Sequence, residues 1–207
     1  MNNKKIKPRR ASAEPTPFEQ ARAHPWTDAT GNAEARYYDL TTTPEHISSS
    51  LEDFQPWSHY AAVEDFYLLL ESLNRPSSLF ESNDCAFCGP EANEQTTIAR
   101  ALQCSGRVML LFRTLERNTV PGSIEALKNQ LHHELASLDP RFEWGVIGTT
   151  LVPARYLALA DHGDNQLGCQ LMISFWAWGH TEADTMTNLK RLFKSLSRAL
   201  ANLTAQG

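Results

Sequence analysis

"GRVMLLFRTLERNTVPGSIEALKNQLHHELASLDP", residues 106–140, encodes a buried strand followed directly by an amphipathic helix. Successive residues of a strand point to opposite faces, and here both sets are apolar: Val108, Leu110 and Phe112 on one face, Met109, Leu111 and Leu115 on the other. A strand that is apolar on both faces is predicted to lie inside its sheet. A helix should follow, capped by Ser123, ended by Asp139-Pro140, with the stripe Ile124, Leu127, Leu131, Leu135 and Leu138.

Two further helices are predicted from the same kind of spacing. Residues 58–74, "SHYAAVEDFYLLLESLN", carry an apolar stripe and stop before Pro76, because the residue before a proline disfavours the α conformation. The last helix is expected to begin at Thr181, which forms a relative of the capping box with Asp184. Its seam repeats every three or four positions through Met186, Leu189, Phe193, Leu196, Leu200 and Leu203.

Shorter extended segments complete the pattern. Asp84 to Cys88 is predicted to be a strand that ends in a turn at Gly89-Pro90. Residues 142–153 and 155–160 are predicted strands broken at Pro153, 168–179 is a further strand apolar on both faces, and 161–168 is a hairpin loop. Residues 91–104 suit a helix or a strand equally well.

This order of elements predicts an α+β fold. We expect a mixed or antiparallel sheet of four to five strands that is covered by two or three helices. The order also allows a ferredoxin-like variant. Residues 1–35 are rich in proline, alanine and polar residues without a sustained period, so they are predicted to be a disordered basic and polar arm. Residues 36–207 are predicted to form a single α+β domain.

Composition and charge limit the classes of function. Apolar residues make up 42% and charged residues 21% of the chain, which is typical of a globular protein. The longest apolar run is too short for a membrane-spanning helix, and no apolar region follows "MNNKKIKPRR", so no secretory signal is predicted. With four cysteines, too few for a disulfide scaffold, the chain is predicted to be cytoplasmic and to have no membrane partner.

The net charge of −5 combines a basic tail with an acidic body. Five basic residues give the first ten positions a charge of +5, and the remaining residues therefore carry −10. A nucleic-acid surface needs concentrated positive charge, so binding to nucleic acid is predicted to be possible only through this N-terminal arm. Neither a P-loop nor a G-x-G-x-x-G follows a strand, and no cofactor is predicted. Gly145 and Gly148 instead indicate a bulge or a close approach within a strand.

The pair Cys85 and Cys88 suggests a metal or thiol site, but the rest of the chain offers little to complete it. A structural zinc site needs four ligands, and only Cys104 is available as a third cysteine nearby in sequence. No metal site is therefore predicted. His162, on a loop with two aspartates, could accompany a reactive cysteine, as could His132. A thiol- or metal-dependent enzyme built on these residues is kept as the alternative function.

Two surfaces favour a binding protein instead. Trp176 and Trp178 share one face of a predicted strand, and tryptophan is enriched at interaction hot spots. Lys190, Arg191, Lys194 and Arg198 cluster on the side of the last helix away from its apolar seam. We therefore predict a non-enzymatic protein-interaction or regulatory module, such as an accessory, inhibitor or immunity-type protein. Its predicted partner is another protein or a second copy of the same chain, in a homodimer.

Overall fold

The computed structural model describes residues 22–24, 56–139, 143–159 and 166–206. Its strands are β1 (Arg22–His24), β2 (Phe80–Ala92), β3 (Leu102–Phe112), β4 (Gly145–Tyr156) and β5 (Leu167–Gly179). Its helices are α1 (Ala61–Asn74), α2 (Glu116–Thr119), α3 (Ser123–Leu138) and α4 (Glu182–Gln206). A short 3-10 helix, Trp57–His59, precedes α1.

The five strands form one sheet in the order β1-β4-β5-β3-β2. All neighbouring strands are antiparallel except β1 and β4, which are parallel. The α+β class and the predicted four to five strands are therefore confirmed. Both strands predicted to be apolar on two faces, β3 and β5, lie inside the sheet.

Helix α3 joins two parallel strands that are not neighbours. Strand β5 runs antiparallel to both β3 and β4, so β3 and β4 are parallel to each other with β5 inserted between them. This is a split β-α-β unit, the feature that ferredoxin-like folds share. The split places α3 over the β4 end of the sheet, where its buried residues Ile124, Leu127 and Leu131 join the main core.

The main core lies between one face of the sheet and helices α1, α3 and α4. At its centre the Phe175 ring lies 4.9 Å from the Phe193 ring and 5.9 Å from the Phe66 ring, centroid to centroid. Phe66 also contacts Phe87 of β2 at 6.0 Å. Aromatic rings that are buried and in contact contribute large apolar areas together with favourable ring geometry. This cluster therefore ties α1 and α4 to the two strands β2 and β5.

The opposite face of the sheet carries a second, smaller core. Leu111, Ala154, Tyr156 and Leu159 are buried together, and Leu115 packs against them. The Tyr156 hydroxyl donates a hydrogen bond to the Cys169 carbonyl at 2.8 Å, which satisfies its polar atom within the buried site. The alternation of apolar residues on β3 thus serves two cores rather than one.

The predicted turn at Gly89-Pro90 is wrong. Strand β2 continues through it to Ala92, with shifts of register at Asn83 and at Gly89-Pro90. Because β2 is an edge strand, the missing N–H group of Pro90 does not interrupt the interior of the sheet. The Trp57 ring occupies the space where a side chain at residue 89 would begin, which explains the glycine.

Three other boundaries differ from the sequence predictions. Strand β4 is not broken at Pro153, which pairs with Cys169 and precedes the first residue that β1 contacts, Ala154. Helix α3 has Gly122 as its N-cap, with φ of 78°, and Ser123 is its first helical residue without a capping bond. Between β2 and β3, residues 93–101 form turns and bends, neither helix nor strand.

Several predictions fall outside the described residues. The arm at residues 1–35 does so except for Arg22–His24, which form β1. Residues 161–165 of the predicted hairpin loop, including His162, and residue 160 before it are likewise outside. None of the described helices is both long enough and apolar enough to cross a membrane.

Candidate functional site

The last helix, α4, presents one apolar and one basic side. Its start is fixed as predicted by a capping arrangement: the Thr181 hydroxyl accepts from the Asp184 N–H at 3.1 Å, and the Asp184 carboxylate accepts from the His180 N–H at 2.9 Å. The predicted seam is buried throughout: Met186, Leu189, Phe193, Leu196, Leu200 and Leu203. Burial of this seam turns the four basic residues outward.

These basic residues line a groove between α4 and the end of α3. The groove has a volume of about 330 Å³, and its lining comprises Leu138, Asp139, Thr187, Lys190, Arg191, Lys194, Ser195 and Arg198. Four cations and one carboxylate give it a net charge of +3. Leu138 is the only apolar residue among the described ones that line it, so the groove suits a charged ligand better than an apolar one.

One of the four cations is held in place by an ion pair. The Arg191 guanidinium donates two hydrogen bonds to the Asp139 carboxylate, each 2.6 Å long. This bidentate geometry raises the pKa of Arg191 further above its ordinary value. Among the described residues, Lys190, Lys194 and Arg198 form no salt bridge with a carboxylate. These three side chains therefore provide the groove's uncompensated charge.

The far end of the same interface fixes how α3 and α4 lie. The Asn202 side chain donates a hydrogen bond to the Glu134 carboxylate at 2.8 Å. Glu134 contacts Asn202 near the end of α4, whereas Asp139, five residues later in the chain, contacts Arg191 nearer the start of α4. The two helices therefore run antiparallel along this contact. The groove is framed by this antiparallel helix pair.

The aromatic pair lies on the other side of the sheet. Trp176 and Trp178 share a face, as predicted, because their β3 partners Ser105 and Gln103 are two residues apart. Trp178 is only 5% exposed and acts in packing, whereas Trp176 is half-buried. Helix α4 covers the opposite face of β5, so the structure does not bring the tryptophans and the basic residues into one surface.

The cysteine pair does not converge on one site. Cys85 lies opposite Val108 and Cys88 opposite Ser105, with no bulge between them, so their side chains point to opposite faces of β2. Cys104 is buried beneath α4, its sulfur 3.7 Å from the Met186 sulfur. Two sulfurs on opposite faces of one strand cannot share a metal ion or form a reactive dithiol.

Three of the thiols are also poorly suited to act as nucleophiles: Cys85, Cys104 and Cys169. Desolvation, followed by the charge of Asp84, raises the pKa of Cys85 to about 11, although part of this edge residue is exposed. Burial also raises the pKa of Cys104 to about 12 and that of Cys169 above its usual range. A reactive cysteine needs the opposite shift, because the thiolate is the nucleophile.

His132, the candidate histidine that the structure describes, contacts a residue of β4 and not one of the β2 cysteines. His132 Nε2 lies 2.6 Å from the Thr149 hydroxyl on β4. Thr149, Ile173, Val108 and Cys85 form one cross-strand row, which puts Thr149 three strand spacings, about 14 Å, from Cys85. His162 lies outside the described residues, and the described ones include no group of three or more potential metal ligands. Within the part of the chain that the structure describes, no site for the enzyme alternative is assembled.

No family model, curated protein or solved structure matches this chain. The candidate site consequently rests on its own residues. Sequence reasoning found the four cations but missed the α3 side of the groove. Asp139 was noticed only as the residue that ends a helix, and its role needs the tertiary contact with Arg191.

Proposed function

We propose that this protein is a cytoplasmic, non-enzymatic interaction module that binds an acidic segment of a partner protein in the α4 groove. The observation that carries the proposal is the placement of four cations in one groove of a body whose residues beyond the first ten sum to −10. Such a concentration of positive charge attracts an acidic ligand, which the acidic remainder of the protein repels. A regulatory or accessory role accords with binding of this kind.

The spacing of the cations favours an extended acidic segment. Lys190 and Arg198 are eight residues apart on α4, a distance of about 12 Å along the helix axis. An extended peptide covers that distance with about four residues. Thr187 and Ser195 line the same groove and supply hydroxyl groups for hydrogen bonds to carboxylates.

The cytoplasmic location is supported by the cysteines. All four are free thiols, and Cys104 is fully buried in the main core without a disulfide partner. A reducing compartment keeps thiols in this state. The thiol-enzyme alternative has less support, because its cysteines lie on opposite faces of β2.

The test uses a fluorescent decaglutamate peptide and measures its anisotropy as the full-length protein is added. We expect saturable binding that weakens as ionic strength rises from about 50 to about 500 mM, because exposed charges are screened. Reversing Lys190, Lys194 and Arg198 together to Glu should weaken binding at least tenfold while leaving the circular dichroism spectrum unchanged.

A matched control separates the groove from the basic tail. Changing Lys4, Lys5 and Lys7 to Glu alters the net charge by the same amount outside the groove. We expect this tail variant to retain most of its affinity for decaglutamate. Loss of binding in the tail variant, with full binding in the groove variant, would reject the proposed function.

A further inference from the structure

Within the described residues, the outer edge of β4 is paired with another strand only at its C-terminal end. Strand β5 pairs with β4 on one side from Gly145 to Arg155, whereas β1 covers the other side only from Ala154 to Tyr156. Among the described residues, no strand pairs with the outer side of residues 145–153. Alternate residues of an edge strand present their N–H and C=O groups outward, so this segment is a template for another strand.

The other edge of the sheet is protected. Strand β2 carries two register shifts and Pro90, and the charged residues Asp84 and Glu91 lie along it. Bulges, prolines and charges are the features by which proteins prevent edge-to-edge pairing. The β4 edge has none of them between residues 145 and 152, "GVIGTTLV". This difference between the β2 and β4 edges indicates that the β4 edge pairs with another strand.

We propose that the β4 edge pairs antiparallel with the β4 edge of a second copy, joining the two sheets into one continuous sheet. A two-fold interface places each segment against itself, so any charge in it would face a like charge. Residues 145–152 contain no charged side chain and are half-buried. The segment is therefore compatible with itself at every register, which a charged edge would not be.

The residues that directly precede β1, 15–21, are a poor alternative occupant. Continuing the β1 register backwards from the pair Arg22 and Ala154 would set Pro17 opposite Thr149 and Pro15 opposite Ile147. Prolines cannot donate to a ladder, so strand pairing by residues 15–21 would be interrupted opposite Ile147 and Thr149. The segment 145–152 of a second copy contains no proline.

Trp176 gives this edge an anchor. Its ring lies over Gly148, 3.3 Å from where a side chain at that residue would begin. A two-fold axis perpendicular to the sheet keeps the same face of both sheets on the same side. Two Trp176 rings would then flank the junction on the face away from the helices, where large aromatic side chains add most to an interface.

The test measures the molar mass of the full-length protein by light scattering at about 20 µM, since assembly depends on concentration. We expect about 46 kDa, twice the chain mass of 23.2 kDa. Thr150→Lys, which introduces a repelling charge on the β4 edge, should give a monomer. Cys88→Lys, the same charge on the exposed β2 edge, should leave the dimer intact.

Amide hydrogen exchange keeps the proposal testable if Thr150→Lys does not fold. In the wild-type protein, the peptide covering residues 145–152 should lose at least tenfold of its protection when dilution dissociates the dimer, while β3 stays protected. Any one of three results would overturn the proposal. The wild-type protein could be a monomer, folded Thr150→Lys could remain a dimer, or the exchange protection of residues 145–152 could stay the same on dilution. A dimer lost in Cys88→Lys alone would assign the interface to β2 instead.

Discussion

Arg191 of α4 and Asp139, the residue after α3, form a bidentate ion pair with two contacts of 2.6 Å. The Arg191 side chain is 51% exposed and the Asp139 side chain 16% exposed. The pair fixes one cation of the groove and neutralises it at the same time. Asp139 therefore limits the charge that an incoming acidic segment meets.

Changing Asp139→Asn should strengthen decaglutamate binding about twofold to threefold, because the groove charge rises from +3 to +4. The same change should lower the free energy of unfolding by no more than about 1 kcal/mol, since an ion pair near the surface contributes little. Peptide anisotropy and urea unfolding measure the two effects. Weaker binding in this variant would show that Asp139 positions Arg191 for the ligand rather than opposing it.

Leu131→Asp should prevent folding. Leu131 is fully buried in the main core, and an unpaired buried carboxylate costs at least about 3 kcal/mol. The neighbouring Gln130 is exposed, so Gln130→Asp serves as the matched control and should unfold within about 0.5 kcal/mol of the wild type. Circular dichroism and thermal unfolding distinguish the two. A wild-type melting curve for Leu131→Asp would remove the α3 stripe from the core.

Gly106→Ala should destabilise the protein by roughly 1–3 kcal/mol. The added methyl group would overlap the Ala86 carbonyl oxygen and the Phe175 ring, both of which belong to packed strands. At Gly148 the nearest atom lies 3.3 Å from the added carbon, so Gly148→Ala should cost clearly less. Urea unfolding of both variants gives the comparison. Equal stabilities would mean that the ring cluster shifts freely to accept the methyl group.

Alkaline pH should destabilise the protein partly through Cys104. Burial raises the pKa of this thiol from 9.0 to about 12 in the folded state. The pKa of this thiol is higher in the folded state than in the unfolded state. The contribution of the protonated thiol to the free energy of unfolding is therefore complete below pH 9 and is lost as the pH rises towards 12. At pH 10 the loss amounts to roughly 1 kcal/mol.

The variant Cys104→Ala should lack this part of the pH dependence. Its free energy of unfolding should fall between pH 8 and pH 10 by roughly 1 kcal/mol less than that of the wild type, although it is lower at pH 8. Urea unfolding at both pH values measures the difference. An unchanged difference would mean that other groups cause the alkaline loss.

The fold was largely predictable because its signals are local. The stripes of α3 and α4 and the two-sided apolar pattern of β3 follow directly from residue spacing. The error at Gly89-Pro90 has a tertiary cause. Whether a proline ends a strand depends on whether that strand is at an edge, and strand order is a property of the whole sheet.

The candidate site was predictable only in part for the same reason. Helical spacing placed Lys190, Lys194 and Arg198 on one side of α4, but it could not show that α3 completes a groove beside them. The spacing of Cys85 and Cys88 suggested a joint site, whereas the extended backbone of β2 sends their side chains to opposite faces. Cys85 and Cys88 are therefore close in sequence without forming a joint site.

The most direct test of the proposed groove is a nuclear magnetic resonance titration of the full-length, ¹⁵N-labelled protein with decaglutamate. We expect saturable changes in the chemical shifts of the backbone amides at residues 138–139 and 187–198, with little change on β2 or at Trp176. Shifts confined to the basic residues 1–10, with the groove amides unmoved, would contradict it.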